Sequence, residues 1–451
     1  MSHGLATSPA RWLRPCLFLL FGVALSGCGG GGGGSHSSGI TYTVNGPLLK
    51  STGVANQFYV YVGSNLFNSG SGDFEVPNNP WINVKICEPT NPTNCQTLTA
   101  VVSDTGSYGL RVLYAALNAS LNLTAETPPA GSGTLAECVQ FGGGFSTWGS
   151  VRKALITLGT ETTTQAVPIQ VVNDPSLPSA PTDTNCTDAN SQGVATYTPA
   201  TNAGYLAGNA ILGLGVFRHD FGNYYSCASG TCTAISAATM LANESLEVQN
   251  PVWLMTTDNN GILFSLPAVP ADGAPNQTGT ITLGINTESN NKITTQTVFP
   301  VDPAGTYAGD FDTTFPASGA GSTLYHQSFL DTGTNTLMFP NNTNIATCSD
   351  GFYCPTNSSS QPTSVNLSAL AAGYNGTPTG TVAFQIANAD STLFTTSNFA
   401  FNDLGAPLTK IFDWGLPFFY GVPVFEALNG QAVSGSPGGQ AAGPFYAFTP
   451  P

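Results

Sequence analysis

Basic residues are scarce in this chain: 10 Lys and Arg stand against 25 Asp and Glu in 451 residues, giving a net charge of −15. A surface of that sign disfavours nucleic acid and anionic lipid headgroups, because both carry negative charge. Histidine is also rare, and only His219 and His326 fall in the part that we expect to fold. This scarcity weighs against a Ser-His-Asp hydrolase and against a zinc site, since no Cys-His cluster surrounds either histidine.

Charged residues of either sign make up only 8% of the chain, whereas Gly, Pro, Thr, Ser and Asn are abundant. Short apolar runs between turn residues predict an all-β protein with a few short helices. Pro168 predicts a sheet edge for the strand over residues 167–172. Short helices are predicted over residues 236–243 and 364–372. The other predicted strands include residues 57–62, 81–86, 98–102, 149–158, 210–215, 279–284, 297–299 and 382–386.

No apolar run approaches the ~20 residues that a membrane-spanning helix needs, but the N-terminus carries an export signal. Arg11 and Arg14 precede a short apolar segment that ends in Leu25-Ser26-Gly27-Cys28. This ending resembles the bacterial lipobox, which implies that Cys28 is acylated and becomes the mature N-terminus. An ordinary secretory peptide with a stray cysteine is the alternative.

The chain divides into four segments on these grounds. Residues 1–27 form a lipoprotein signal peptide, and residues 28–39 hold the lipidated cysteine and a flexible Gly/Ser spacer. An N-terminal lobe is predicted over residues 40–265 and a C-terminal lobe over residues 266–451. The expected location is the bacterial cell envelope, with the folded body tethered by lipid to a membrane that is expected to be the outer one.

Eight cysteines follow Cys28, and an even number in an exported chain predicts disulfides. Three pairs of them are close neighbours in sequence, which leaves one candidate pair at larger separation. Sequence does not fix the connectivity, so other pairings stay open. The candidate pairs are Cys87 with Cys95, Cys227 with Cys232, Cys348 with Cys354, and Cys138 with Cys186.

Two tetrapeptides carry most of the functional information: Asp104-Thr105-Gly106-Ser107 and Asp331-Thr332-Gly333-Thr334. Each lies between two apolar runs, which predicts a strand, a turn that carries one carboxylate, and a returning strand. Two such turns facing one another would bring both aspartates into one site, where two carboxyl groups that share a proton can activate water. Two unrelated polar β-turns are the alternative, because Asp and Gly are common in turns.

The paired motifs resemble those of the two-lobed pepsin-like aspartic proteases, over about residues 55–430. In that family an apolar-apolar-Gly strand crosses each motif. Ile211-Leu212-Gly213 matches this strand in the first lobe, whereas Asp413-Trp414-Gly415 is a looser match because Asp413 and Trp414 replace two aliphatic residues. The chain resembles even more closely bacterial lipoproteins of uncharacterised function that carry the same duplicated motif. The resemblance implies a two-lobed double-ψ β-barrel architecture.

The resemblance also implies a role for each motif residue. Asp104 and Asp331 form a catalytic pair, the motif threonines hydrogen-bond across the lobes, and the residues after the glycines bond to the outer carboxylate oxygens. Glycine at the third position lets the backbone approach and donate N–H bonds. These supporting residues are Thr105, Gly106, Ser107, Thr332, Gly333 and Thr334.

Pepsin-like proteases cover their cleft with a hairpin, the flap, that carries a tyrosine. Phe141 falls on the tyrosine position here and lacks its hydroxyl, Gly142 follows it, and the indole N–H of Trp148 is a candidate replacement donor. A hairpin tip without a substrate role is the alternative. A phosphate-binding loop is disfavoured, because no Lys-Ser or Lys-Thr ends this glycine run.

The sequence therefore predicts a lipid-anchored aspartic endopeptidase that hydrolyses peptide or protein substrates outside the cytoplasm. No metal, cofactor or nucleic acid is expected, and the protein is expected to be a monomer. The alternative is a pepsin-fold binding or adhesion lipoprotein with weak or no catalysis, which the phenylalanine at the flap position favours.

Replacing Cys28 with alanine should release the protein from the membrane fraction or block its processing, because the acylated thiol is the expected anchor. Membrane fractionation and intact mass measure this. Unchanged membrane association together with an unchanged mass would contradict the lipid anchor.

Overall fold

The computed structural model describes residues 43–44, 46–63, 67–69, 72–73, 76–142, 144–182, 186, 198–200 and 203–451. The predicted signal peptide, the spacer with Cys28, and Gly143 of the flap hairpin lie outside the described residues. Within the described part, no helix is long and apolar enough to cross a bilayer.

Short strands dominate the structure, which confirms the all-β prediction. The strands up to residue 265 are β1 (Thr43–Val44), β2 (Gln57–Gly63), β3 (Phe67–Ser69), β4 (Gly72–Asp73), β5 (Trp81–Glu88), β6 (Asn91–Asp104), β7 (Tyr108–Leu113), β8 (Thr134–Phe141), β9 (Phe145–Leu158), β10 (Glu161–Thr162), β11 (Val167–Val172), β12 (Thr198–Pro199), β13 (Ala210–Leu214), β14 (Asn223–Ala228), β15 (Thr231–Ala234) and β16 (Gly261–Ser265). Those that follow are β17 (Asn276–Leu283), β18 (Thr297–Pro300), β19 (Asp312–Phe315), β20 (Thr323–Tyr325), β21 (Ser328–Asp331), β22 (Leu337–Phe339), β23 (Ser364–Ala372), β24 (Thr379–Ala387), β25 (Gly405–Pro407), β26 (Phe412–Gly415), β27 (Val424–Ala427) and β28 (Phe445–Phe448).

Helices are few and short. Ser236 caps the second α-helix by accepting a hydrogen bond from the Thr239 amide at 3.2 Å, so the predicted helix over residues 236–243 is present but shorter. The α-helices are α1 (Ala203–Leu206) and α2 (Ala237–Leu241); the single turns are Tyr114–Ala116, Glu244–Leu246, Pro251–Leu254, Leu416–Phe419 and Pro437–Gly439, all 3₁₀, and Ala389–Leu393, a π-helix.

Two sequence predictions about local structure were wrong. Residues 364–372, predicted as a helix, form strand β23, which pairs with β24 along its whole length; tertiary pairing overrides the helix propensity of its Leu and Ala residues. Strand β11, predicted at a sheet edge, lies between β7 and β9. Pro168 is tolerated because the pairing with β7 begins only at Gln170, beyond the proline.

The same crossing of strands occurs in both halves of the chain. Strand β13 pairs in parallel with β6 and antiparallel with β7, which places Gly213 opposite Asp104. Strand β26 pairs in parallel with β21 and antiparallel with β22, which places Gly415 opposite Asp331. Each Asp-Thr-Gly loop is thereby held by a third strand whose glycine is level with the aspartate.

Strands from both halves also pair with one another in one run of six. Its six strands are antiparallel and follow the order β2, β17, β16, β27, β28, β18. Strand β16, from the first half, lies between two strands of the second half, and β2 is the partner of β17. The predicted boundary at residue 265 therefore falls inside a sheet whose hydrogen bonds run across it.

One large apolar cluster extends through both halves and includes Val60, Leu212, Ile281, Trp414 and Phe419. It encloses the strands that lead into and out of the two Asp-Thr-Gly loops. Burial on this scale fixes the loops against the core, because each buried large apolar side chain contributes about 1.5–3 kcal/mol.

The described residues contain four disulfides, in agreement with the predicted pairs. Three close short loops, and the fourth ties strand β8 to Cys186. The bridges are Cys87–Cys95, Cys138–Cys186, Cys227–Cys232 and Cys348–Cys354.

Replacing Cys138 and Cys186 together with alanine should lower the free energy of unfolding by about 4 kcal/mol, because this bridge spans a sequence separation of 48. The matched change at Cys227 and Cys232, which are 5 residues apart, should lower it by about 2 kcal/mol. Urea unfolding of both variants measures the difference. A larger loss from the short bridge would contradict the chain-entropy account.

Candidate active site

The two Asp-Thr-Gly loops meet at the centre of the molecule. Asp104 ends strand β6 and Asp331 ends strand β21, so each aspartate is the last residue of a strand pinned by its crossing partner. Both aspartates are 0% exposed. The duplicated motif thus places one carboxyl group from each half in a shared, solvent-excluded position.

Reciprocal hydrogen bonds between the motif threonines hold the loops together. The Thr105 hydroxyl accepts from the Thr332 amide at 3.1 Å and donates to the Leu330 carbonyl at 3.1 Å. The Thr332 hydroxyl accepts from the Thr105 amide at 3.1 Å and donates to the Ser103 carbonyl at 2.8 Å. Each hydroxyl therefore satisfies one donor and one acceptor of the opposite half, and the loops cannot separate without breaking four bonds.

Donors around each carboxylate follow the same plan in both loops. The Gly106 amide donates to Asp104 Oδ1 at 2.9 Å, and the Ser107 hydroxyl donates to Asp104 Oδ2. In the second loop the Gly333 amide donates to Asp331 Oδ1 at 2.7 Å, and the Thr334 hydroxyl contacts Asp331 Oδ2 at 3.0 Å. These contacts fix both carboxyl planes and favour the ionised form of each group.

Glycine at the third motif position is required by the approach of the opposite aspartate. A Cβ atom on Gly106 would lie 2.5 Å from Asp331 Cγ, and one on Gly333 would lie 2.6 Å from Asp104 Oδ1. Any side chain there would collide with the carboxyl group of the other half. The two loops therefore pack with their backbones against each other's aspartates.

The two aspartates interact directly. A Cβ atom on Gly333 would lie 2.6 Å from Asp104 Oδ1 and 3.1 Å from Asp331 Oδ1, so an oxygen of each carboxyl group borders the same point. Two buried carboxyl groups this close cannot both ionise at low cost, so one of them keeps a proton. Burial raises the pKa of Asp331 well above its ordinary value, the neighbouring acids Asp104 and Asp413 act in the same direction, and the Thr334 hydroxyl opposes this. The geometry is that of a carboxyl pair that keeps one proton where an ordinary aspartate would have lost it.

Two further buried acids, neither of them predicted as a site residue, lie next to the pair. Asp413 contacts the Thr334 hydroxyl at 2.9 Å, and Glu426, on strand β27, is close enough to Asp104 for that acid to act on its ionisation. Burial raises the pKa of both acids well above their ordinary values. A single acid inside each apolar run, Phe412-Asp413-Trp414 and Phe425-Glu426-Ala427, was the available signal.

The residues predicted for the flap are buried in the structure. Phe141 is 0% exposed, stacks on Phe145 with ring centroids 4.8 Å apart, and lies under the Arg111 guanidinium. The Trp148 N–H donates to the Pro178 carbonyl at 2.9 Å, so this donor is already engaged away from the aspartates. Gly142 lies at the turn between β8 and β9.

Groups that suit other chemistries are engaged elsewhere. His326 Nδ1 lies 2.8 Å from Asp312 Oδ1, and His219 lies 3.7 Å from carboxylate oxygens of Glu244 and Glu247. Within the described residues, the cluster of metal-ligand types combines two cysteines with Asp390. Those cysteines, at positions 348 and 354, are bonded to each other and have no thiolate to offer.

The fold and the site together define an all-β protein with two Asp-Thr-Gly loops joined around a buried carboxyl pair. Over residues 53–448 the chain matches the model of a family described as "Protein of unknown function (DUF3443)", and it belongs to that family. No curated protein matches the chain.

Replacing Thr332 with valine should lower the free energy of unfolding by about 3 kcal/mol, because the Thr105 amide and the Ser103 carbonyl lose their partner in a buried site. Thr332→Ser keeps the hydroxyl and loses one methyl group, so it should cost about 1 kcal/mol. Denaturant unfolding compares the two variants. Equal losses would show that the hydroxyl does not join the halves.

Proposed function

We propose that this protein is an aspartic endopeptidase built on a pepsin-like, two-lobed double-ψ β-barrel fold. The observation that carries the proposal is the buried pair of Asp104 and Asp331, one from each half, whose carboxyl groups approach one another beside Gly333. The strand crossings at Gly213 and Gly415 and the reciprocal threonine bonds support it. These features come from sequence positions far apart and agree with one another.

The reaction follows from the shared proton. The ionised member of the pair takes a proton from a water molecule, and the protonated member donates a hydrogen bond to the carbonyl oxygen of the scissile peptide. Water oxygen attacks the carbonyl carbon to form a tetrahedral intermediate. Protonation of the nitrogen and cleavage of the C–N bond then yield a carboxylic acid and an amine. Gly106 and Gly333 leave the space that the opposite carboxyl group occupies, which brings the two carboxyl groups together.

A binding or adhesion role is the second candidate, and the burial of the pair favours it. Both aspartates are 0% exposed and Phe141 is buried, so a peptide reaches the carboxyl groups only after the covering residues move. A protein that uses the fold for binding has no such requirement, because its aspartates then serve to lock the two loops together. The peptide assay below separates the two roles.

We also propose that the protein acts in the bacterial cell envelope as a lipid-anchored monomer on peptide or protein substrates. The lipobox-like sequence before Cys28 and the Gly/Ser spacer support the anchor. The four disulfides fit an oxidising compartment outside the cytoplasm.

Asp104→Asn and Asp331→Asn should each abolish cleavage of a diverse peptide pool, because asparagine keeps the shape but cannot share the proton. The double variant should be scarcely less active than either single one, since groups that act as a unit are not additive. Mass spectrometry of the peptides, with and without pepstatin and over a range of pH, measures this. The wild type should give a bell-shaped pH profile that is higher on the acid side.

Asp403→Asn is the matched control, because Asp403 is also buried and burial raises its pKa to about 7, yet it does not contact the pair. This variant should cleave as the wild type does. Cleavage that survives both single substitutions would refute the endopeptidase. A wild type that binds peptides without cleaving them at any pH would establish the binding role instead.

A further inference from the structure

One hydroxyl group connects the carboxyl pair to Asp413. Thr334 Oγ1 lies 3.0 Å from Asp331 Oδ2 and 2.9 Å from Asp413 Oδ2. All three residues are 0% exposed. Both distances are hydrogen-bonding distances. Because no bulk solvent reaches these atoms, two oxygens in contact without a proton between them would repel each other with nothing to compensate the repulsion.

A hydroxyl has a single proton to donate. If Thr334 donates to one of the two carboxyl oxygens, the other contact is favourable only when that second oxygen carries a proton and donates to Thr334 Oγ1. Therefore at least one of the two acids, Asp331 or Asp413, holds a proton that points at Thr334. This conclusion follows from the two distances and the burial alone.

The number of available donors places that proton on Asp413. Asp331 can accept from the Gly333 amide at 2.7 Å and the Thr334 amide at 3.2 Å in addition to the hydroxyl. Asp413 Oδ1 has no hydrogen-bond partner among the residues that the structure describes, so the Thr334 hydroxyl would be the single donor to its ionised form. A buried carboxylate with one donor is much less stable than one with three.

The surroundings of Asp413 act in the same direction. It faces Asp331 through Thr334, and the charged groups that act on it are Asp104 and Asp310, both acidic. Burial raises the pKa of Asp413 well above its ordinary value, the Thr334 hydrogen bond opposes this, and the two acidic neighbours raise it further.

We propose that Asp413 is a third carboxyl group of the site, which stays protonated at neutral pH and, by donating to Thr334, directs this hydroxyl onto Asp331. Asp413 is a positioning residue, because it acts on the pair through another side chain. The first half has no counterpart: the position that matches Asp413, two residues before the crossing glycine, is Ile211. The two otherwise duplicated loops are therefore chemically unequal.

When Asp413 loses its proton, the Thr334 hydroxyl changes the oxygen to which it donates. Thr334 then donates to the new carboxylate, Asp331 loses a donor, and a second negative charge lies one hydroxyl away from the pair. Ionisation of Asp413 is thus expected to end the working state of the pair at its alkaline limit. This kinetic consequence rests on the proposed function, whereas the protonation of Asp413 does not.

The test is a pH titration of the full chain with ¹³C-labelled aspartate side chains, followed by NMR. The Asp413 signal is identified by its absence from Asp413→Asn and from Asp413→Ile, the second of which copies the apolar residue of the first half. We expect the Asp413 carbon to stay at its protonated chemical shift through pH 7. A charged Asp413 at pH 7 overturns the proposal, whether or not the protein cleaves peptides.

Cleavage assays on the same variants test the effect on the pair. Asp413→Asn keeps an N–H donor toward Thr334 and cannot ionise, so the alkaline limb of the pH profile should move upward by about one pH unit or more. Asp403→Asn, which removes a buried acid away from the pair, should leave the limb in place. An unmoved limb in Asp413→Asn overturns the proposed control of the pair. If the wild type cleaves nothing, the endopeptidase proposal fails and the titration alone decides the state of Asp413.

Discussion

The reciprocal bonding of Thr105 and Thr332 is the interaction on which the rest of the site depends. Each hydroxyl satisfies a backbone donor and a backbone acceptor of the other half, so the bonds stabilise only the one relative position of the loops in which all four form. That position also brings each motif glycine against the opposite aspartate. The docking of the two loops therefore brings the two carboxyl groups together. The threonine hydrogen bonds, which do not involve the carboxyl groups, offset the charge repulsion between them.

Burial is the second constraint, because four acids lie close together out of contact with solvent. None of the four is more than 1% exposed: Asp104, Asp331, Asp413 and Glu426. Ionising all of them at that depth would cost too much free energy. Hydroxyl groups contact three of them: Ser107 and Thr334 bond the two motif aspartates, and Thr334 also bonds Asp413. The four carboxyl groups of the site cannot all be ionised at once. A small number of protons is therefore distributed over their oxygens.

Much of this architecture could be predicted from the sequence, because strand alternation and the Asp-Thr-Gly turns are local signals. The strands that lead into the two aspartates and the even set of cysteines depend on patterns within a few residues, whereas the crossing at Gly213 was implied by the resemblance to pepsin-like proteases. The wrong predictions concern segments whose structure is determined by pairing with strands that are distant in sequence. Residues 364–372 became a strand because β24 pairs with them throughout, and Pro168 lies in an interior strand because its neighbour starts two residues later. Asp413 was read as a poor match to an apolar motif, since only the three-dimensional contact with Thr334 gives it a role.

The six-stranded sheet has a consequence for the order in which the chain folds. Its strand order interleaves segments from near the two ends of the described chain: β2 pairs with β17, while β27 and β28 complete the opposite side. Strand β16 has its full set of neighbours only after residue 427 is available. Such long-range contacts form late in folding, because the loop-closure entropy must be overcome before any of them is stabilised. The first half is therefore incompletely paired until the last strands form, and until then an edge of β16 has no partner strand.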